Sequence, residues 1–276
     1  MIDPNLVKKC TEAAAMMRID AIRATYSTGN TGAHIGGTLS MIDIMAVLYM
    51  GVMNISPHNL KDDGRDRFIL SKGHGVLAQY TALKQMGIIS DEELMSFKKS
   101  GTRLYAHPSR NPDIGIEFSS GSLGQGISLA VGVAMALKKK NNPAGVYVLV
   151  GDGECDEGSV WEALASAAHF RLDNLTVIVD KNDLQYDGRT SEILNMDNIS
   201  DKFAAFGFNV NEADGHDVKS LLNAFSSKND KPSAVIAHTV KGKGVSFMEN
   251  NPVWHNGRLS EKQYLQAMKE LGAEND

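Results

Sequence analysis

The apolar positions of this chain change their spacing as the sequence advances. Over Leu6–Tyr26, Leu6, Met17, Ala21 and Ala24 stand among charged residues, the pattern of a helix with one covered face. Met41–Met50 is apolar almost all round, which predicts a buried helix. Arg67–Leu70 (RFIL) predicts a short strand. Val76–Met86 and Asp91–Lys99 predict helices, with Ser90 ahead of Asp91-Glu92-Glu93 as an N-cap. Leu123–Lys140 reads as a Gly- and Ala-rich helix closed by Lys138-Lys139-Lys140, where cations suit the negative end of the dipole. Val146–Val150 (VYVLV) and Leu175–Val179 (LTVIV) are apolar without alternation, as strands covered on both faces are. Ser159–Phe170 between them is helical. Asn209–Ala213, Asp217–Ser226 and Ala234–Thr239 continue the alternation, and Ser260–Leu271 is a terminal helix capped by Ser260.

This order predicts an α/β fold, a parallel sheet with helices on both faces. No long Pro, Gly or Ser linker interrupts it, so residues 1–276 are expected to form a single domain. In such sheets ligands sit beyond the carboxyl ends of the strands, so the segments after VYVLV and LTVIV are the first places to look for chemistry.

Composition narrows the classes. Hydrophobic residues make up 42% and charged residues 22% of 276, which supports a globular core rather than disorder. A net charge of -5 argues against a nucleic-acid-binding protein. Two cysteines cannot make a disulfide framework. No apolar stretch approaches a membrane span and no leader pattern opens the chain, so a cytoplasmic protein is expected.

VYVLV runs directly into Gly151-Asp152-Gly153-Glu154, and LTVIV into Asp180-Lys181-Asn182-Asp183-Leu184. Neighbouring parallel strands would bring Asp152 and Asn182 to one edge. An Asp and an Asn oxygen, a backbone carbonyl and phosphate oxygens suit octahedral Mg²⁺. Glycine amides and the N-terminus of the helix near Ser159 suit a diphosphate. A lone Gly-Asp-Gly would be no more than a capped βα turn. Followed roughly thirty residues later by Asn at the end of the next buried strand, it is far more specific.

On these residues the chain resembles the transketolase family, specifically its thiamin diphosphate-binding module. The resemblance implies that Asp152, Asn182 and the carbonyl of Leu184 ligate Mg²⁺ (or Ca²⁺ or Mn²⁺ in its place). It implies that Gly153 contacts the diphosphate and that Glu157 lies near the cofactor and a subunit interface. Gly121-Ser122-Leu123, at the start of the Leu123–Lys140 helix, would meet the ring end of the cofactor. Gly124-Gln125-Gly126 would pack beside it, which also suits plain helix–sheet packing. Lys241 of Lys241-Gly242-Lys243-Gly244 reads from the residues alone as a phosphate loop, a lid or an exposed turn, and by resemblance as a site residue.

Of eight histidines, four need no function. His169 and His238 read as core or half-buried, His216 as a loop or capping residue and His58 as exposed. His34, His74, His107 and His255 lie in Gly-rich or turn-like contexts. Each alone is more often structural; together they match the family's set of histidines along the cofactor and sugar channel, as catalytic residues, with His74 also at the cofactor. Imidazole titrates near neutrality and suits proton movement between hydroxyl and carbonyl oxygens. The family usually has Gly directly after the last of these, whereas here Asn256 intervenes before Gly257.

Thiamin chemistry also needs a glutamate on a pyrimidine-binding domain, which full-length transketolases carry after this module along with arginines for the sugar phosphate. The chain is therefore expected to be the N-terminal subunit of a split transketolase, joined with a separate C-terminal subunit in an α2β2 heterotetramer. It would move a two-carbon ketol unit from a ketose phosphate to an aldose phosphate. Two enzyme alternatives are a transketolase-like subunit for a sulfo- or branched sugar and a 2-oxo acid dehydrogenase α-type subunit, which leaves the histidines without a reason. A non-enzymatic scaffold would require a degenerate site.

Overall fold

The computed structural model describes residues 2–227 and 230–273. Its strands are β1 (Arg67–Leu70), β2 (Val146–Gly151), β3 (Leu175–Lys181), β4 (Asn209–Asp214) and β5 (Ser233–His238). They form one sheet in the order β1-β2-β3-β5-β4, and every neighbouring pair is parallel. The helices are α1 (Pro4–Ser27), α2 (Ile35–Ser40), α3 (Ile42–Val47), α4 (Val76–Gln85), α5 (Asp91–Leu94), α6 (Gln125–Lys139), α7 (Gly158–His169), α8 (Thr190–Ile193), α9 (Ile199–Ala205), α10 (Val218–Ser226) and α11 (Glu261–Glu270).

Alternate residues of the unalternating strands serve two cores. Phe68, Leu70, Tyr147, Leu149, Ile178 and Val235 pack with α1, α3, α4 and α10 on one face. Ile69, Val146, Val148, Val150, Val177, Val179 and Ile236 pack with α6, α7 and α9 on the other. The expected α/β architecture, a parallel sheet covered on both sides, is what the chain adopts.

The elements depart from the sequence pattern in several places. The expected helix Met41–Met50 is interrupted. A first helix, α2, ends at Ser40, Met41 leaves helical geometry, and after α3 the chain widens into a π turn at Leu48–Val52. α2 itself runs through Gly36-Gly37, where local propensity opposes a helix and tertiary contacts impose one. The expected helix Asp91–Lys99 stops at Leu94, and Lys98 at φ +60°, which no right-handed helix accommodates, bars it from its expected end. α6 begins at Gln125 rather than Leu123, and α8 and α9 carry no periodic signal long enough to have predicted them.

Candidate functional site

The register of β2 on β3 builds the site. Gly151 pairs with Asp180, so the residues just beyond, Asp152 and Asn182, leave the sheet at the same edge. They line a cleft with Gly153, Leu184, Lys241 and His255. Asp152 Oδ1 accepts from the amide of Gly153 at 2.8 Å, and Oδ2 from the amide of Asp183 at 2.5 Å. Asn182 Oδ1 accepts from the amide of Leu184 at 3.2 Å. Lys241, 2% exposed, is no surface turn. Its ammonium donates to the carbonyls of Leu184 (3.0 Å) and Gln185 (3.1 Å) and lies 3.0 Å from His255 Nδ1.

Burial, and then the nearby carboxylate of Asp180, raise Asp152 to about 7. The larger cause is loss of water around the carboxylate, and a cation bound beside it would restore its charged form. The Asp152 carboxylate, the Asn182 amide oxygen and the Leu184 carbonyl are hard donors at adjacent strand ends, which suit Mg²⁺. Among the described residues no three acidic, imidazole or thiol side chains converge on a metal position. An ion here would therefore complete its shell with oxygens from its ligand. A Cβ at Gly153 would come within 2.6 Å of the Gln185 side chain, so only glycine fits this close approach at the cleft.

The four candidate histidines converge from four separate segments. His34, at the start of α2, lies between the others, with ring centroids 5.5 Å from His74, 5.6 Å from His107 and 5.5 Å from His255. His74 and His255 are 5.0 Å apart. A two-bond bridge holds His34 beside His255: the amides and carbonyls of Ala33 and Gly257 exchange hydrogen bonds at 2.9 and 3.0 Å. Asn256 thus leaves room for Gly257 to pair, and His255 still reaches the cluster. Burial, with His107 and Lys98 nearby, lowers His34 to about 4. Burial and the Lys241 ammonium lower His255 to about 3. Burial and Lys72 hold His74 well below its ordinary value, and burial and Lys98 also lower His107. The cluster is neutral near pH 7, so each ring offers one donor and one acceptor nitrogen.

Leu123 and His74 line the cleft, while Gly121, Ser122 and Glu157 do not. Gly121, at φ +140°, backs the His107 ring, which a Cβ would approach to 2.9 Å. Ser122 and Glu157 are exposed. The N-terminus of α7 also stands off the cleft, because a 3-10 turn over Gly153–Asp156 intervenes. His58 is exposed as expected. His169 and His238 are exposed too, contrary to expectation: His169 ends α7, and His238, at the end of β5, bonds Glu212 at 2.9 Å.

Three residues the sequence left unassigned hold the site together. Asp180 is fully buried at the end of β3, where it accepts from Ser40 at 2.6 Å and pairs with the Lys72 ammonium and the Thr239 hydroxyl. Burial opposes its charge, but Lys72 outweighs that and keeps it below the usual carboxylate range. Glu154, 2% exposed, joins the Ser71 hydroxyl to the amides of Gly124 (2.8 Å) and Gly151 (3.1 Å). It thereby ties the ends of β1 and β2 to the start of α6. The available signal was chemical: a carboxylate inside an apolar strand end requires a buried partner.

Strand-end oxygen donors, a buried lysine and a neutral imidazole cluster over a doubly covered parallel sheet fit a diphosphate-binding α/β module. Residues 7–276 match the family model "Transketolase, thiamine diphosphate binding domain", and the chain belongs to that family. It is 43% identical over 227 residues to a protein of Actinobacillus succinogenes named for one subunit of apulose-4-phosphate transketolase, covering 82% of each chain. It is 41% identical over 244 residues to a 6-deoxy-6-sulfo-D-fructose transketolase subunit of a Clostridium species, covering 87% of this chain and 89% of the other. The fold is similar to that of transketolase from Leishmania mexicana, with a TM-score of 0.85 and 30% identity, over 95% of this chain and 41% of that one. The chain thus spans about two fifths of the solved transketolase it matches. Among the described residues no helix is long and apolar enough to cross a membrane.

Proposed function

We propose that this chain is the N-terminal subunit of a cytoplasmic, thiamin diphosphate-dependent transketolase, transferring a two-carbon ketol unit from a ketose phosphate to an aldose phosphate. It works as one module with a separate C-terminal subunit that carries the pyrimidine-binding domain, in an α2β2 heterotetramer. The carrying observation is that Asp152 and Asn182, just beyond adjacent strand ends, line one cleft with His74 and His255, around which His34 and His107 gather. The two relatives covered over most of their length are each named for a transketolase subunit, which supports the split arrangement.

In this reading Asp152, Asn182 and the Leu184 carbonyl hold Mg²⁺, and Gly153 and Lys241 meet the diphosphate. Leu123 and His74 border the rings of the cofactor, with Gly121 and Ser122 behind Leu123 and Glu157 toward a subunit boundary. Bound thiamin diphosphate supplies the carbon nucleophile that accepts and returns the ketol unit. His34, His74, His107 and His255 orient the sugar hydroxyls. Because all four are neutral near pH 7, each can take a proton on one nitrogen while donating from the other.

The names of the same relatives favour a second reading, in which the sugar is branched or sulfonated. The 2-oxo acid dehydrogenase reading gives the imidazole cluster no task. The test is ketol transfer by the purified chain with thiamin diphosphate and Mg²⁺, alone and with a C-terminal transketolase subunit, over a panel of phosphorylated, branched and sulfonated ketoses. Activity only in the mixture is expected, and robust turnover by this chain alone would overturn the split-enzyme reading.

A further inference from the structure

Behind the cleft runs a buried polar chain that the proposed chemistry leaves unused. It begins on α1, where the Arg18 guanidinium pairs with Asp43 of α3. Asp43 Oδ2 lies 2.7 Å from Nδ1 of His216, in the turn between β4 and α10. The other ring nitrogen, Nε2, accepts the backbone N–H of Val240 at 2.8 Å. The next residue is Lys241. None of Arg18, Asp43 or His216 lines the cleft.

The hydrogen bonds leave one assignment for the ring. A backbone amide can only donate, so Nε2 is bare and the proton sits on Nδ1, where it is donated to Asp43. Burial pushes Asp43 toward its neutral form, but the His216 bond and the Arg18 charge outweigh it, so the acceptor remains ionised. The backbone explains why an imidazole is needed. β5 ends at His238, so Val240 has left the parallel ladder and its amide needs another acceptor. Gly215 packs against Thr239 so tightly that a Cβ would collide with its methyl, and this close approach carries the turn and His216 up to Val240.

We propose that His216, fixed in its Nδ1–H form by Asp43, is the positioning residue that sets Lys241 in the site. The linkage runs from Arg18 through Asp43 and His216 to Val240 N–H, and the Lys241 ammonium then reaches the Leu184 and Gln185 carbonyls and His255. The proposal rests on the reading of Lys241 as a cofactor residue and adds what holds it there.

The test is a double-mutant cycle on the full chain with its partner subunit, reading thiamin diphosphate affinity in the presence of Mg²⁺. His216→Phe keeps the ring volume and removes the acceptor. It is expected to weaken binding about tenfold when Lys241 is present and less than about twofold in the Lys241→Met background, with His216→Gln, which restores an acceptor, recovering most of the loss. A purely structural role would give the same loss in both backgrounds and would overturn the proposal. Long-range nitrogen–proton NMR on the wild-type chain gives an independent readout should His216→Phe not fold: a proton on Nε2 also overturns the proposal. If Lys241→Met alone leaves affinity unchanged, the cofactor role of Lys241 fails and the proposal fails with it. A loss in Lys241→Met that His216→Phe does not reproduce removes the proposal alone.

Discussion

Asp152 and Asn182 line one cleft because Gly151 of β2 pairs with Asp180 of β3 in the ladder, which brings the residues just beyond to the same sheet edge. Asp152 is the one carboxylate among the three donors assigned to the metal. Asp152→Ala should weaken Mg²⁺-dependent binding of thiamin diphosphate by on the order of a hundredfold, since neither the diphosphate nor a carbonyl replaces an anionic ligand. Calorimetry with the partner subunit present checks this. Unchanged affinity would refute the assignment.

Lys72 and Asp180 form an ion pair with both side chains at 3% exposure or less. Asp180→Asn strands a buried ammonium, so unfolding free energy should fall by about 3–5 kcal/mol. It also disturbs the contact by which Asn182 Nδ2 reaches Asp180 at 3.3 Å, so cofactor affinity should drop in the folded fraction. Urea titration followed by calorimetry below the transition separates the two effects.

His74 lies among imidazoles and beside the cleft, with half-buried rather than core packing. His74→Ala should lower turnover by about a hundredfold, within the range for loss of a positioned acid–base group, while the melting temperature changes little. Loss of the fold instead would make this histidine structural.

His34 titrates at about 4 in the folded chain against an ordinary 6.5. Between these values the unfolded chain binds more protons, so the stabilisation is complete above about pH 6.5 and is lost as pH falls toward 4. His255, lowered to about 3, extends the loss in the same direction. The urea midpoint should therefore decline from pH 7 to pH 4, and His34→Gln should make that decline shallower. An unchanged slope in His34→Gln would show that the ring is solvated in both states.

Gly121→Ala combines a positive φ with a methyl 2.9 Å from the His107 ring. It should destabilise the chain by about 1 kcal/mol or more and displace His107. A thermal melt and the His107 ring resonances report the two effects.

The sheet, and the meeting of Asp152 and Asn182 in one cleft, were legible because local pattern carries them: an unalternating apolar run ends in a polar residue, and the ligand edge of a parallel sheet lies there. Lys72, Glu154 and Asp180 were visible as residues but not as partners, since which buried cation meets which carboxylate is decided by strand order and register. α2 was hidden by Gly36-Gly37, whose propensity opposes the helix that packing imposes. Asp91–Lys99 erred the other way: its composition suits a helix, but only Asp91–Leu94 forms one. His216 is the clearest gap: nothing in a loop histidine's own neighbours indicates that α1, α3 and the segment after β5 will close around it.

The Ala33–Gly257 bridge joins a segment that precedes β1 to one that follows β5. During synthesis the ribosome must therefore release all five strands before His34 and His255 can meet. A nascent chain therefore has every strand of the sheet before it has the imidazole cluster. Premature termination between His238 and His255 would leave a polypeptide with all five strands but without its imidazole cluster.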